Sequence, residues 1–232
     1  MKLNKLAMAI GACTMLAGPA MAEISGNVAL TSNYIFRGVS QNDNSWAIQG
    51  GFDYAHDSGL YAGVWASNVD DNFFSGSSIE IDTYLGWSGD VGPVSLDVGY
   101  LHYFYPDSHP AAGPGNDPDT DEFHVGVSKD FGFMSAGFTA YYSPDFFDFG
   151  KGQYYDLSID VPVSSFTISG HYGVTRISEK TGLADADYED YSLGVSTSYS
   201  GLDFAVTYSD TSSDVTGALV DDLWAFTVSK SL

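Results

Sequence analysis

The chain has 232 residues, of which 44% are hydrophobic, 15% aromatic and only 16% charged. Thirty acidic residues against eight Lys and Arg give a formal net charge of −22 at pH 7. This excludes a nucleic-acid partner, because neutralising phosphates requires clustered Lys and Arg. The 26 Gly, 16 Tyr and 15 Phe favour strands and turns and argue against disorder. The composition predicts one all-β domain, since barrels of about 200–250 residues form single units.

Residues 1–22 have the pattern of a secretory signal peptide. Two lysines precede an apolar run from Leu6 to Leu16, and an A-x-A cleavage pattern ends at Ala22. The single cysteine, Cys13, lies in this segment, so residues 23–232 are expected to form an exported domain without disulfides. Removing the two lysines takes the formal charge from −22 to −24.

After the signal peptide, apolar and polar side chains alternate, which is the period of half-buried β-strands. Ile79 and Ile81, for example, lie opposite Glu80 and Asp82, whereas the third segment is apolar on both faces and has the least defined phase. Twelve segments show the pattern: residues 24–36, 46–54, 60–68, 79–87, 94–100, 123–128, 134–142, 155–161, 166–175, 191–199, 202–208 and 224–228.

The connections alternate in length as regularly as the faces do. Five short links rich in turn formers fall at 57–59, 88–93, 129–132, 162–164 and 200–201. Six longer polar links fall at 37–45, 69–78, 105–121, 143–152, 176–188 and 209–222. This order predicts an up-and-down antiparallel meander with both termini on the short-turn side. In outer-membrane barrels, short turns face the periplasm and long loops face outward.

The chemistry of the two faces separates a membrane barrel from a secreted soluble β domain, which would also alternate. Only six Lys and Arg remain after residue 22, and the polar face is mainly Ser, Thr, Gly, Asn and Asp, unlike a water-exposed outer surface. The sequence therefore predicts a transmembrane β-barrel of about 12 strands in the bacterial outer membrane, in contact with its lipid and lipopolysaccharide. Aromatic residues near the strand ends are expected to form its interfacial girdles: Tyr34, Phe36, Trp46, Tyr54, Trp87, Tyr142, Tyr199 and Trp224.

Three stretches in the first third of the chain resemble the TorF-type family of predicted porins. They are SNYIFRGVSQ at 32–41, IQGGFDY at 48–54 and YAGVWASNV at 61–69. The Glu80-x-Asp82 pair and YYSPD at 141–145 also resemble that family. The family consists of proteobacterial outer-membrane proteins of largely undetermined function. The resemblance implies a Gram-negative outer-membrane barrel that forms a pore, and it adds no substrate.

Strand phase places many carboxylates on the lumen face and few bases, of which Arg37 is the clearest. The predicted lumen carboxylates are Asp53, Glu80, Asp82, Asp97, Asp156, Asp160, Asp190 and Asp203. Four of them, Asp53, Asp97, Asp160 and Asp203, are expected near the periplasmic end, where a ring of carboxylates favours cations. The alternative is that these groups only hydrate a polar lumen. Arg37 is expected to pair with Asp43, with a lumen carboxylate or with an anionic ligand.

These features favour a porin-like channel for passive diffusion of small polar solutes, with a preference for cations. Twelve strands lie between small filled barrels and wide porins, so the passage is expected to be narrow. A plugged barrel that binds a ligand or partner through its loops is the main alternative. A membrane-embedded hydrolase is another, with His124 or His171 as base and Ser128 or Ser169 as nucleophile.

No established motif supports catalysis or a cofactor. The sequence contains no G-x-S-x-G, HExxH or P-loop motif and no cysteine-based metal spacing, so no catalytic residue, cofactor or metal is predicted. Acidic stretches at 70–71, 113–122 and 185–187 are expected to be solvated loops, because they lack the spacing of an EF-hand calcium loop.

Overall fold

The computed structural model describes residues 23–111, 117–179, 187–212 and 217–232. Their strands are β1 (Glu23–Thr31), β2 (Ile35–Phe36), β3 (Val39–Ser40), β4 (Ala47–Ala55), β5 (Leu60–Asn68), β6 (Ile79–Val91), β7 (Val94–Phe104), β8 (Thr120–Asp130), β9 (Ser135–Ser143), β10 (Gly150–Val163), β11 (Phe166–Glu179), β12 (Tyr188–Tyr199), β13 (Leu202–Thr211) and β14 (Leu223–Ser231). In these ranges, no helix is long and apolar enough to cross a membrane.

Twelve of the strands form one closed antiparallel barrel. Neighbours around the barrel are neighbours in sequence, apart from β2 and β3, and the ring closes where β1 pairs with both β4 and β14. Leu30, for example, lies opposite Ile48 on one side and Val228 on the other. The predicted up-and-down barrel of about 12 strands is therefore confirmed, and closure pairs every edge of the sheet.

At the short-turn end, the strands run further than the sequence pattern predicts. Strand β6 continues to Val91, which pairs with Val94, and β10 continues through Pro162 to Val163, which pairs with Phe166. The reason is the tightness of the turns: two-residue links let the ladder continue to its last residue. Positive φ angles at turn positions such as Gly92 and Ser164 fit this geometry.

Burial resolves the phase of the third predicted segment, β5. Leu60 and Val64 are exposed on the outer face, whereas Tyr61 and Ser67 are buried inside the barrel. The inward row therefore carries aromatic side chains, including Trp65, which packs edge-on against Tyr34. Aromatic residues on the lumen side made both faces of this segment apolar in sequence.

The first barrel strand ends at Thr31, not near residue 36 as its alternating pattern predicts. The chain then forms a separate two-stranded hairpin, β2–β3, whose side chains contact the inside of the barrel. Tyr34 is only 9% exposed, and Phe36 packs against the inward-facing Tyr103. The prediction that Tyr34 and Phe36 belong to an outer aromatic girdle is thus wrong.

The buried core of the barrel lies inside its long-loop end, around this hairpin. Its apolar and aromatic members are Tyr34, Ala47, Val69, Phe74, Tyr103 and Tyr105. Polar side chains hold the hairpin base within this core: the Tyr34 amide donates to the Asn42 carboxamide (3.0 Å), and the Ser40 hydroxyl donates to the Asn33 carboxamide (2.7 Å). The first long link is therefore an internal element of the barrel.

Candidate functional site

The tip of the inserted hairpin is the two-residue turn Arg37-Gly38. Both residues have positive φ, 47° and 77°, as hairpin turns of type I′ require. A Cβ at Gly38 would lie 2.7 Å from side-chain atoms of Asp190 and Thr211, so the tip abuts β12 and β13. Arginine is unfavourable in this conformation by about 1 kcal/mol. Contacts of its side chain must therefore hold it there.

Arg37 forms a buried bidentate ion pair with Glu122 on β8. Its Nη1 and Nη2 each donate to one carboxylate oxygen at 2.8 Å, and the two side chains are 6% and 2% exposed. The Tyr103 hydroxyl donates to the same carboxylate at 2.9 Å. Burial acts to lower the pKa of the Arg37 guanidinium, but the Glu122 carboxylate outweighs it and raises that pKa above its usual value. Of the predicted alternatives, Arg37 therefore pairs with a lumen carboxylate and not with Asp43.

Aromatic rings surround the Arg37 guanidinium. Its central carbon lies 4.1 Å from the ring centre of Tyr154, 5.1 Å from that of Tyr141 and 5.5 Å from that of Phe146. These distances fall within the range of cation–π attraction. We call Glu122, Tyr141, Phe146 and Tyr154 the guanidinium cage.

A second buried contact joins the base of the hairpin to the wall. The Tyr34 and Tyr105 hydroxyls donate to the two oxygens of Glu80 at 2.8 and 2.7 Å. Burial raises the pKa of both phenols well above its usual value, so they remain protonated donors. Phe74 stacks on Tyr105 with ring centres 4.3 Å apart. The long-loop half of the lumen is thus closely packed.

This packed half contains more carboxylates than cations. Among the described side chains, Arg37 is the only Lys or Arg turned inward. Glu80, Asp82, Glu122 and Asp190 are all at most 8% exposed. One oxygen each of Asp82 and Asp190 is buried without a hydrogen-bond partner. The remaining described bases lie on outward-facing positions: Lys129, Lys151, Arg176 and Lys230.

The carboxylates in the short-turn half of the lumen are held by neutral or histidine donors, and they range from buried Asp203 to partly exposed Asp97. His124 contacts Asp97 at 2.6 Å, and the Tyr61 hydroxyl donates to the same carboxylate at 2.9 Å. The His124 and Asp97 side chains are 17% and 27% exposed. The other predicted carboxylates accept from hydroxyls: Asp53 from Tyr84, Asp160 from Ser169, and Asp203 from Ser198.

His171 lies between the two halves. Its ring nitrogens contact Asp156 at 3.0 Å and Asp190 at 2.7 Å, and its side chain is 23% exposed. The predicted nucleophile on the same strand, Ser169, donates to Asp160 at 2.6 Å. The histidines thus contact lumen carboxylates, and the hydroxyl of Ser169 is directed to a carboxylate instead of a base.

The remaining predicted aromatic residues lie on the outside of the barrel. Trp46, Tyr54, Tyr142, Tyr199 and Trp224 are 40–77% exposed there. The indole of Trp87 donates to the Ser58 carbonyl in the short turn after β4, at 2.8 Å. An outward row of aromatics near the strand ends is the arrangement expected at a lipid–water interface.

The predicted acidic loops are described only in part. Residues 113–116 and 185–186 lie outside the described residues. Asp119 accepts the backbone amide of Tyr105, 14 residues earlier, at 2.9 Å and so joins the two ends of its loop. Asp70 accepts the backbone amide of Asn72 at 2.8 Å and caps a local turn. Within the described ranges, no group of three or more His, Cys, Asp or Glu side chains is arranged to hold a metal.

Sequence alone does not reveal Glu122, the partner of Arg37, or the inward tyrosines 61, 84, 103, 141 and 154. Glu122 ends the stretch predicted as an acidic loop, but in the structure it lies on β8 and shares the lumen face with His124. Extending the strand phase by one residue in the N-terminal direction would have found it. Apolarity does not identify these tyrosines as lumen residues, because a tyrosine counts as apolar whichever face of the strand it occupies.

Four long loops form a shallow pocket of about 170 Å³ above the hairpin base. It is lined by Gln41, Phe73, Phe74, Ser75, Asp117, Pro118, Phe147 and Phe149. Phe74 and Phe147 also contact Tyr105, so the pocket wall is continuous with the packed core.

A family model described as "Bacterial protein of unknown function (Gcw_chp)" matches residues 17–232. The chain belongs to this family. The sequence matches none of the curated proteins compared with it.

The barrel is similar to several solved structures. For the NanC porin, the TM-score is 0.58 at 8% identity, over 89% of this chain and 98% of that chain. A membrane protein from a study of in-meso crystallisation gives 0.55 at 8% identity, over 90% of this chain and 83% of that one. For Pseudomonas aeruginosa OccK5 (OpdH), the TM-score is 0.49 at 16% identity, over 88% of this chain and 62% of that one. At these identities, the first two likenesses show a shared barrel fold.

Proposed function

We propose that this member of the Gcw_chp family is an outer-membrane, porin-like channel for passive diffusion of small polar solutes, with a preference for cations. The observation that carries the proposal is the closed barrel with an apolar outer face and an acidic lumen wall. The resemblance of residues 32–69 to the TorF-type porins supports the same interpretation, and so does the porin fold of NanC.

Two features of the chain support export and membrane insertion. Residues 1–22 have the pattern of a cleaved signal peptide. Large apolar side chains such as Ile48, Phe52 and Leu193 are 57–67% exposed on the barrel exterior, a surface that suits lipid and not water. In this arrangement the short turns face the periplasm and the long loops contact lipopolysaccharide.

The cation preference rests on the charge of the lumen wall. Asp97, Asp156 and Asp160 are partly accessible, and their partners are histidine, tyrosine or serine side chains. A wall with several carboxylates and few fixed cations lowers the energy of an entering cation and raises that of an anion. Arg37 does not cancel this field, because Glu122 already neutralises it.

The inserted hairpin sets how far the passage is open. While Tyr34 and Arg37 are bonded to Glu80 and Glu122, the long-loop half of the lumen is packed. Solutes therefore pass only when the hairpin moves out of this position. Planar-bilayer recording tests both parts of the proposal. We expect small conductance steps for the folded wild-type protein and a cation-selective reversal potential under a salt gradient. A reversal potential of the opposite sign would contradict the cation preference.

The packed hairpin also favours a second candidate, a plugged barrel that binds a ligand through its loops. The pocket between four loops is the observation that supports it. The same recording separates the two functions: folded protein that inserts into the bilayer but gives no steps would favour the plugged barrel.

A further inference from the structure

The guanidinium cage and its occupant come from different parts of the chain. Glu122, Tyr141 and Tyr154 lie on three consecutive wall strands, and Phe146 lies on the loop that joins two of them. The occupant, Arg37, is carried by the tip of the inserted hairpin. The barrel wall thus forms a cation site, and the chain fills it with one of its own side chains.

We propose that this cage is a binding site for cations bearing a guanidinium group, and that Arg37 is a built-in ligand that occupies it while the hairpin is seated. The proposal rests on the channel function proposed above and names its substrate class. Solutes with a guanidinium group would bind the cage when the hairpin tip withdraws, and they would compete with Arg37 for it.

The chemistry of the cage favours guanidinium over other cations. Glu122 receives two parallel N–H donors at 2.8 Å each, a geometry that a planar guanidinium matches and an ammonium does not. The Tyr103 hydroxyl bonds to one of the same oxygens at 2.9 Å and helps to fix the carboxylate. Tyr141 and Tyr154 offer ring faces to a flat, weakly hydrated cation. The cage therefore distinguishes cations by their shape as well as by their charge.

Two further observations indicate that Arg37 is there as a ligand and not as a turn residue. Its φ of 47° suits Gly or Asn better than Arg, so the turn itself does not favour arginine. Removing it would also leave the buried Glu122 carboxylate without its ion-pair partner. An empty cage would therefore attract a replacement cation.

Chemical rescue tests the proposal with the Arg37→Gly variant. Glycine accepts the positive φ, so the turn is kept while the guanidinium is removed. The variant is reconstituted in planar bilayers and exposed to low millimolar guanidinium chloride, sodium chloride, methylammonium chloride or urea, the neutral analogue of guanidinium. We expect guanidinium to bind and to reduce the conductance of Arg37→Gly. Guanidinium binding should be at least about tenfold weaker in Arg37→Gly/Glu122→Gln, since bonds to a charged group contribute ~1.5–3 kcal/mol.

Isothermal titration calorimetry of the same variants folded in detergent measures binding without requiring conductance. Guanidinium binding to Arg37→Gly, but not to the wild type or to the double variant, would support the cage. Equal responses to guanidinium and urea, or to guanidinium with and without Glu122, would overturn it. Absence of conductance in every variant, with calorimetric binding retained, would instead contradict the channel function and leave the guanidinium site standing.

Discussion

The carboxylates in the two halves of the lumen differ in their exposure and in their hydrogen-bond partners. In the long-loop half, Glu122 and Glu80 are 1–2% exposed and bonded to the hairpin. In the short-turn half, Asp97 is 27% exposed and bonded to His124 and Tyr61. A buried carboxylate needs a partner to offset its desolvation, whereas a hydrated one does not. Under the proposed function, the first half contributes to stability and closure, and the second half provides an electrostatic field that attracts cations.

The largest effect is expected from Glu122→Gln in the packed half. The change leaves a buried guanidinium without its counter-charge, which costs about 3–5 kcal/mol. Urea unfolding of the detergent-folded barrel, followed by tryptophan fluorescence, measures this loss. We also expect higher conductance. An unpaired guanidinium is more stable in water than buried, so Arg37 and the hairpin tip should leave the lumen more often.

Asp121→Asn provides the matched control, one residue away but facing outward. Its carboxylate is 46% exposed and bonded to Tyr100 and His102. A surface pair of this kind is worth about 0–1 kcal/mol. Similar losses in the two variants would mean that the packed half does not depend on its buried pair.

The next largest effect is expected from Gly38→Ala at the hairpin tip. The new methyl group would lie 2.7 Å from atoms of Asp190 and Thr211, at a φ of 77° that alanine disfavours. Strain of these two kinds costs about 1–3 kcal/mol. The barrel itself should stay closed, so we expect a larger single-channel conductance with only a moderate loss of stability. Gly132→Ala, at a positive φ in an open short turn, controls for backbone strain alone, and an equal conductance change there would contradict the prediction.

The barrel could be predicted from sequence because the alternation of apolar and polar residues within each strand identifies its outer face. In β6, Ile79 and Leu85 alternate with Glu80 and Tyr84 along one strand, and no distant contact is needed to see it. The same local rule failed after Thr31. Tyr34 and Phe36 continue the alternation, but alternation does not show whether a strand is part of the barrel. The hairpin instead turns into the lumen and buries both side chains.

The functional site was less accessible to sequence reasoning, because its partners are distant along the chain. Arg37 was singled out by its rarity in an acidic sequence, yet Glu122 lies 85 positions away. Only the closed barrel brings them together. The short-turn carboxylates, in contrast, followed from strand phase, because each projects from a regular strand into the lumen.

A smaller effect on stability is expected from Tyr105→Phe. It removes a hydroxyl that donates to buried Glu80 at 2.7 Å while keeping the ring stacked on Phe74. A hydrogen bond to a charged group contributes about 1.5–3 kcal/mol, and the Tyr34 hydroxyl still donates to Glu80, so the lower end of that range is expected. Urea unfolding checks it. Tyr142→Phe, whose ring is 40% exposed outside, should be close to neutral.

The smallest effect on stability, and the clearest on selectivity, is expected from Asp97→Asn with Asp160→Asn in the short-turn half. Both side chains are partly hydrated and bonded to His124 and Ser169, respectively, so an amide keeps one hydrogen bond and the unfolding free energy should change little. Removing two negative charges from the wall weakens its attraction for cations, so the reversal potential under a salt gradient should move toward zero. If the double variant lost stability as Glu122→Gln does, or kept full cation preference, the short-turn half would not be the source of selectivity.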